Sequence, residues 1–142
     1  DFNAHMRNTA FLDRSGDLRM MFFQDHGFPA GEFARLRVGP VVQRDEVEYF
    51  REVHLLQTYT VTLALGGLSR DGSRMRLVNE FFLEDGRMAA RVRSTGGWLD
   101  LDGRRLVAPP APLLAVLQGL DRMEDFEEMT GSAPTRAEPS GA

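Results

Sequence analysis

The feature that most constrains the fold is a long alternation of apolar and polar residues, interrupted by three Asp-Gly pairs. Leucine, tyrosine and valine alternate with threonine between Leu55 and Leu65, and similar alternation follows over residues 75–83 and 88–92. A period of two residues is typical of half-buried strands. Asp-Gly favours tight hairpin turns because both residues tolerate positive φ. The pairs Asp71-Gly72, Asp85-Gly86 and Asp102-Gly103 therefore predict an antiparallel meander.

Residues 8–26 have a different, helical period. Asn8 or Thr9 can cap the start of a helix, and Gly27 followed by Pro29 is a strong stop signal. Apolar side chains recur at helical spacing at Phe11, Leu18 and Phe22, with Leu12 and Met21 widening the stripe. One long helix followed by a meander predicts an α+β fold in which the sheet wraps the helix.

The remaining segments complete one predicted domain, residues 1–121. A further strand is expected from Phe33 to Tyr49, interrupted at Gly39-Pro40, and a short helix from Leu113 to Leu120. Residues 122–142 are predicted to lie outside the domain. They comprise an acidic helical extension, within the run 121–128, and then a disordered tail rich in Gly, Ser, Ala and Pro.

Composition excludes several classes of function. The 142 residues carry a net charge of -4, which disfavours nucleic acid as a partner, and no apolar run is long enough for a membrane span. The chain has no cysteine, and its three histidines, His5, His26 and His54, lack metal-ligand spacing. We therefore expect no metal and, without a signal peptide pattern, a cytoplasmic location.

The chemistry is expected at the loop that leads into the long helix. Asp1 and His5 lie just upstream of Asn8, at the helix start. The free N–H groups and dipole of a helix N-terminus can hold a carbonyl oxygen that becomes an oxyanion during acyl transfer. A carboxylate nearby can activate water or attack the carbonyl directly.

Around these residues the chain resembles the thioesterase-like branch of the hydroxybenzoyl-CoA thioesterase superfamily. That branch carries a loop such as Asp-x-x-Gly-His-Val-Asn-Asn-x-x-Tyr, matched here by Asp1, His5, Asn8 and Phe11. The resemblance implies a hotdog fold, with its first strand missing from the given sequence. It also implies thioester hydrolysis, with Asp1 as base or nucleophile and the Asn8 N–H polarising the carbonyl. His5 would shape the loop or contact the substrate.

The same resemblance implies the partners. Acyl-CoA or an acyl-carrier-protein thioester would be the substrate, no other cofactor would be needed, and the chain would form a homodimer or a dimer of dimers. Ala4, Arg7 and Phe11 depart from the family pattern. Two alternatives stay open: a hotdog enoyl-thioester hydratase or dehydratase, since Asp1-Phe2-Asn3 begins like its motif, and a protein that binds acyl thioesters without turnover.

Overall fold

The computed structural model describes residues 8–54 and 56–131, which form three helices and seven strands. The helices are α1 (Asn8–Asp25), α2 (Ala30–Leu36) and α3 (Ala111–Gln118). The strands are β1 (Val38–Tyr49), β2 (Tyr59–Val61), β3 (Ala64–Ser69), β4 (Arg74–Leu83), β5 (Met88–Asp100), β6 (Arg105–Val107) and β7 (Arg122–Met129). The predicted long helix and its Gly27 stop, at φ 93°, are confirmed.

The strands form one sheet in the order β1-β5-β4-β3-β7, with β2 beside β4 and β6 beside β5. The pairs are antiparallel except for β3 with β7, which is parallel. Gly72 and Gly86 adopt positive φ in the β3–β4 and β4–β5 turns, as the Asp-Gly pairs predicted. The third pair lies in the turn between β5 and β6.

Two hydrophobic clusters bury the face of the sheet that α1 covers. The first contains Phe23, Phe33 and Trp98, whose rings lie 5.5–5.9 Å apart, together with Leu77 from β4. The second is formed around Phe11, Phe81, Ala90 and Val92, and the rings of Phe11 and Phe81 meet edge to face at 5.0 Å. The alternation predicted for β4 is confirmed, because its odd-numbered residues 75–83 are buried.

The predicted strand from Leu55 to Leu65 is wrong at its start and interrupted later. Gln57 closes a turn with His54, through a backbone bond and a side-chain bond, and Leu56 has a left-handed φ of 65°. The pairing begins at Tyr59 and keeps one register with β4, from Tyr59 opposite Leu83 to Leu65 opposite Leu77. Leu55 lies outside the described residues.

The predicted strand from Phe33 to Tyr49 starts later than expected. Its first residues belong to α2, where Glu32 accepts hydrogen bonds from Arg35 at 2.6 and 2.9 Å and Phe33 is buried. Arg37 then ends the helix in a left-handed conformation, at φ 57°. The irregularity expected at Gly39-Pro40 lies further along β1, where the register shifts between Val42 and Arg44. In the described residues, β1 pairs on one side only, with β5.

The acidic run is a strand, so the prediction of a solvated helical extension is wrong. Strand β7 covers the edge of β3 that would otherwise leave backbone groups unpaired. Its carboxylates face arginines instead of solvent alone: Glu127 lies 2.8 Å from Arg76, and Glu128 lies 3.5 Å from Arg70. Residues 122–129, predicted to lie outside the domain, thus pair with its sheet, and residues 132–142 lie outside the described part.

Asp71 organises the β3–β4 turn. Its Oδ1 accepts hydrogen bonds from Ser69 Oγ at 2.8 Å, Ser73 Oγ at 2.8 Å and Ser73 N at 3.0 Å. Partial burial raises the pKa of Asp71, but these hydrogen bonds lower it by more, so the folded pKa lies below the ordinary value. The folded state therefore prefers the ionised carboxylate.

We expect Asp71→Ala to lower the free energy of unfolding at pH 7 by about 1–2 kcal/mol, since several hydrogen bonds are lost together. A carboxyl group with a depressed folded pKa stabilises the fold above its unfolded pKa of about 3.9. The difference between wild type and variant should therefore shrink as the pH falls through the folded pKa. Urea unfolding across that range measures it.

The control is Asp85→Ala, which changes the same residue type in the exposed β4–β5 turn. Among the described residues, the Asp85 side chain accepts hydrogen bonds from Arg87 alone, through the backbone N–H at 3.0 Å and Nε at 2.8 Å. A smaller loss of stability is expected there. Equal losses in the two variants, or a pH-independent loss for Asp71→Ala, would contradict the assignment.

Candidate functional site

Of the three residues predicted to carry the chemistry, one lies in the described part. Asn8 is the first residue of α1, so its backbone is in the helix start that the sequence predicted. Asp1 and His5 lie outside the described residues. The oxyanion-binding role of the Asn8 N–H and the roles of Asp1 and His5 therefore stay predictions.

The side of α1 that faces the sheet differs from the predicted stripe. Phe11, Ser15 and Phe23 are at most 3% exposed. With Arg19 between Ser15 and Phe23, these residues follow one another at intervals of four. Of the predicted stripe, Phe11 is buried as expected, whereas Leu18 and Phe22 are only partly buried. Residues four apart lie on one face of a helix, so Ser15 and Arg19 share the inward side with two phenylalanines.

These two polar residues belong to a layer that separates the two hydrophobic clusters. Ser15 lies between Phe11 and Phe23 along α1, and Asn79 lies between Phe81 and Leu77 along β4. Ser94 opposes Leu77 in the next strand. Along both α1 and β4, therefore, a polar residue lies between members of the two clusters. We call Ser15, Arg19, Asn79 and Ser94 the polar layer.

Two members of the polar layer keep unsatisfied atoms. Asn79 Nδ2 donates to the Thr62 carbonyl at 3.1 Å, at the gap between β2 and β3. Its Oδ1 and the Oγ of Ser15 have no hydrogen-bond partner among the described residues, although both side chains are fully buried. An unpaired buried polar group lowers the stability of the fold by about 1–3 kcal/mol. These two atoms would therefore be stabilised by an additional hydrogen-bond partner.

A cavity of about 270 Å³ opens beside the polar layer, between α1 and the strands β1, β4 and β5. Its walls are mainly apolar and include Phe23, Val41, Met75 and Leu77. Asp17, Arg19 and Ser94 bring polar atoms to it. A cavity of about 150 Å³ already holds benzene, so this one has room for a small acyl group but not for a nucleotide.

Arg19 is the cation of this cavity. Its Nη1 donates to Ser94 Oγ at 3.2 Å, and Ser94 Oγ donates in turn to Asp45 Oδ1 at 2.5 Å. Burial lowers the pKa of Arg19, and the negative charge of Asp45 raises it by less. The guanidinium remains charged, because arginine stays protonated in proteins, but its charge is only partly compensated.

Gly96 forms the floor where β1 meets β5. A Cβ at this position would overlap the backbone carbonyl oxygen of Val41, so only glycine permits this approach of the strands. The close contact lies beside the bulge at Gln43 and on the lining of the cavity. The local shape of the cavity thus depends on a position without a side chain.

No group of three or more histidine, aspartate or glutamate side chains is placed to hold a metal ion within residues 8–54 and 56–131. In that part of the chain, no helix is both long and apolar enough to cross a membrane.

The family follows from a match along most of the chain. The model of the thioesterase-like superfamily matches residues 1–117, a range that includes Asp1, His5 and Asn8. The chain belongs to the thioesterase-like superfamily. The sequence-based recognition is thereby confirmed. None of the curated proteins matches the chain.

Solved structures confirm the hotdog fold. A Staphylococcus aureus protein solved in complex with CoA superposes with a TM-score of 0.76 at 22% identity, covering 98% of this chain and 81% of its own. The 1,4-dihydroxy-2-naphthoyl-CoA thioesterase of Synechocystis gives 0.74 at 14% identity, covering 87% and 90%. A gentisyl-coenzyme A thioesterase gives 0.72 at 13%, covering 84% and 91%.

The cavity residues were missed by the sequence reasoning. The prediction for α1 relied on the spacing of apolar residues. Arg19 is charged and interrupts that spacing, so it was not assigned to the inward face. The available signal was the spacing itself, because Phe11, Ser15, Arg19 and Phe23 follow each other at intervals of four. A serine and an arginine between two buried phenylalanines indicate a polar site within a helix–sheet interface.

Proposed function

We propose that the chain hydrolyses acyl-CoA or acyl-carrier-protein thioesters to the free acid and the thiol. The observation that carries this proposal is the superfamily match over residues 1–117, which spans the Asp1, His5 and Asn8 loop. The cavity beside α1 supports it, since its size and apolar walls suit an acyl group. The solved structures of similar fold include two named CoA thioesterases.

In the proposed mechanism the start of α1 stabilises developing negative charge. The thioester oxygen accepts a hydrogen bond from the Asn8 backbone N–H, aided by the helix dipole. Asp1 removes a proton from water as the water oxygen bonds to the carbonyl carbon. The oxyanion so formed collapses with cleavage of the C–S bond, and the departing thiolate takes up the proton from Asp1. If Asp1 instead attacks directly, water cleaves the resulting anhydride. His5 orders the loop, and no cofactor takes part.

The site calls for a second copy of the chain. Asn8 and Gly16, the nearest cavity residue on α1, are roughly 12 Å apart along the helix, from a rise of 1.5 Å per residue. A short acyl group cannot span that distance within one chain. We propose a homodimer in which the Asn8 of one protomer serves the cavity of its partner.

Exposed apolar groups support such a pairing. Strand β1 has 12 residues, and its edge away from β5 has no strand partner in the described part. Near it, Val42 is 40% exposed and Met20, across the cavity, is 39% exposed. We expect light scattering to give twice the mass of the chain at micromolar concentration. A monomer with full activity would overturn the shared site.

The test of the proposed function is thiol release from short, long and aromatic acyl-CoAs, with enoyl-CoA absorbance followed in parallel. Hydrolysis predicts free thiol and free acid in equal amounts. Loss of the enoyl chromophore without thiol would indicate a hydratase. Binding of acyl-CoA with neither reaction would indicate a protein that only holds the thioester.

A further inference from the structure

The Arg19 guanidinium has hydrogen-bonding capacity that the fold does not use. Among the described residues its one hydrogen bond is to Ser94, a neutral hydroxyl, and Asp45 is not within ion-pair distance. Arginine has five N–H donors arranged to grip a carboxylate with two of them. Nε and Nη2 of Arg19 therefore have no described acceptor, although the side chain lines the cavity.

The charge balance around Arg19 favours an anion. Asp45, the carboxylate that reaches it through Ser94, is exposed on β1 and screened by solvent. The other carboxylate on the cavity lining, Asp17, is 66% exposed and lies 3.5 Å from Arg14, and desolvation opposes the charge of Arg19 more than Asp45 supports it. A ligand carboxylate would supply both the missing acceptors and the missing charge.

The position of Arg19 in the fold is a second reason to expect a bound ligand there. It belongs to the polar layer, in which Ser15 Oγ and Asn79 Oδ1 are also unsatisfied. An ordinary core would place apolar residues at these positions, because unpaired buried polar groups destabilise it. Unpaired polar groups in a buried helix–sheet interface are typical of a site where stability is given up for recognition.

We propose that Arg19 binds a carboxylate at the far end of the acyl group, so that the preferred substrates are thioesters of dicarboxylic acids. This specificity rests on the proposed hydrolysis. The thioester lies toward the cavity mouth, the methylene chain contacts Phe23 and Leu77, and the free carboxylate accepts two hydrogen bonds from Arg19. Ser94 positions the guanidinium, and Asp45 orients the Ser94 hydroxyl.

The experiment compares substrates that differ only in a terminal carboxylate or methyl group. Glutaryl-CoA is measured against pentanoyl-CoA, and suberyl-CoA against octanoyl-CoA, as kcat/KM. In the pair whose chain length fits the cavity better, the wild type should prefer the dicarboxylic substrate over the methyl-ended one by roughly 10- to 100-fold. This is the range for a charged hydrogen-bonded contact. Equal rates in both pairs, or a preference for the methyl ends, would overturn the proposal.

Variants of Arg19 assign the preference to this residue. Arg19→Gln should abolish it by lowering kcat/KM for the dicarboxylic substrates far more than for the methyl-ended ones, and Arg19→Lys should keep part of it because the charge remains. The matched control is Arg14→Gln, on the exposed side of the same helix, where the side chain is 60% exposed and lies near Asp17. Arg14→Gln should retain the full preference.

The same variants distinguish loss of the carboxylate contact from a general loss of structure. Thermal unfolding checks that Arg19→Gln is folded at the assay temperature, and Arg19→Lys serves if it is not. An equal loss for dicarboxylic and methyl-ended thioesters in a folded variant would overturn the carboxylate contact, since a purely structural role lowers both.

A second measurement distinguishes failure of the proposed hydrolysis from failure of the proposed carboxylate contact. If the wild type releases no thiol from any thioester, calorimetric titration with glutaryl-CoA and pentanoyl-CoA still measures the contact. Tighter binding of the glutaryl ester that is lost in Arg19→Gln would support the carboxylate site without the reaction. Equal binding of both esters would overturn it.

Discussion

Replacing Gly96 with alanine should lower the free energy of unfolding by about 2–3 kcal/mol, the upper part of the range for overpacking. The added methyl group would overlap the carbonyl oxygen of Val41 and come within 3.0 Å of the Val42 Cα. Both atoms belong to the backbone of β1, whose ladder with β5 limits any shift. Strand β1 must therefore move away, and the cavity wall moves with it.

Gly31→Ala is the matched control, because the same substitution there meets nothing within 4 Å. Gly31 lies in α2, where alanine has the higher helix propensity, so stability should be unchanged or rise by up to about 1 kcal/mol. Urea unfolding midpoints at equal slope measure both variants. A loss below about 1 kcal/mol for Gly96→Ala would contradict the close approach of β1 and β5.

The parts of the fold that the sequence predicted are those set by local chemistry. Asp71-Gly72 and Asp85-Gly86 specify turns because Gly72 and Gly86 adopt positive φ. The alternation in β4 was visible because one face of that strand is buried from Met75 to Leu83. Gly27 ended the long helix for the same local reason.

The errors arose where tertiary partners override local preference. The acidic composition of residues 121–128 suggested a solvated helix, but β3 offers an open edge and Arg76 offers a counter-charge. Gly67 makes the approach possible, because a Cβ there would lie 2.9 Å from Met129 Sδ and 3.2 Å from the Glu127 carbonyl oxygen. Neither the edge nor the counter-charge can be read from the run itself.

The candidate site likewise has a part that the sequence predicted and a part that depends on tertiary structure. The loop of Asp1, His5 and Asn8 is contiguous, so its pattern was recognisable in the sequence. The cavity is assembled from α1, β1, β4 and β5, and Arg19 meets Ser94 across 75 positions of the chain. Only the register of β5 and the burial of α1 bring these two side chains together.

Asp1→Asn is expected to lower the kcat of thiol release by roughly 10²–10⁴, the contribution typical of a positioned general base. Asparagine keeps the size and the hydrogen-bonding shape of aspartate but can neither accept the proton from water nor attack as a carboxylate. KM should change little, because the acyl group is held in the cavity and not by Asp1. A loss confined to kcat distinguishes chemistry from binding.

The control is Asp25→Asn, the same chemical change at the exposed last residue of α1, roughly 25 Å along the helix from Asn8. It should leave kcat within about twofold, since a surface charge far from the reacting carbonyl is screened. If both variants lose activity equally, the effect is one of overall charge and Asp1 is not the catalytic carboxylate. If Asp1→Asn retains full turnover, the oxyanion site at Asn8 must act with another base, and the two-residue mechanism fails.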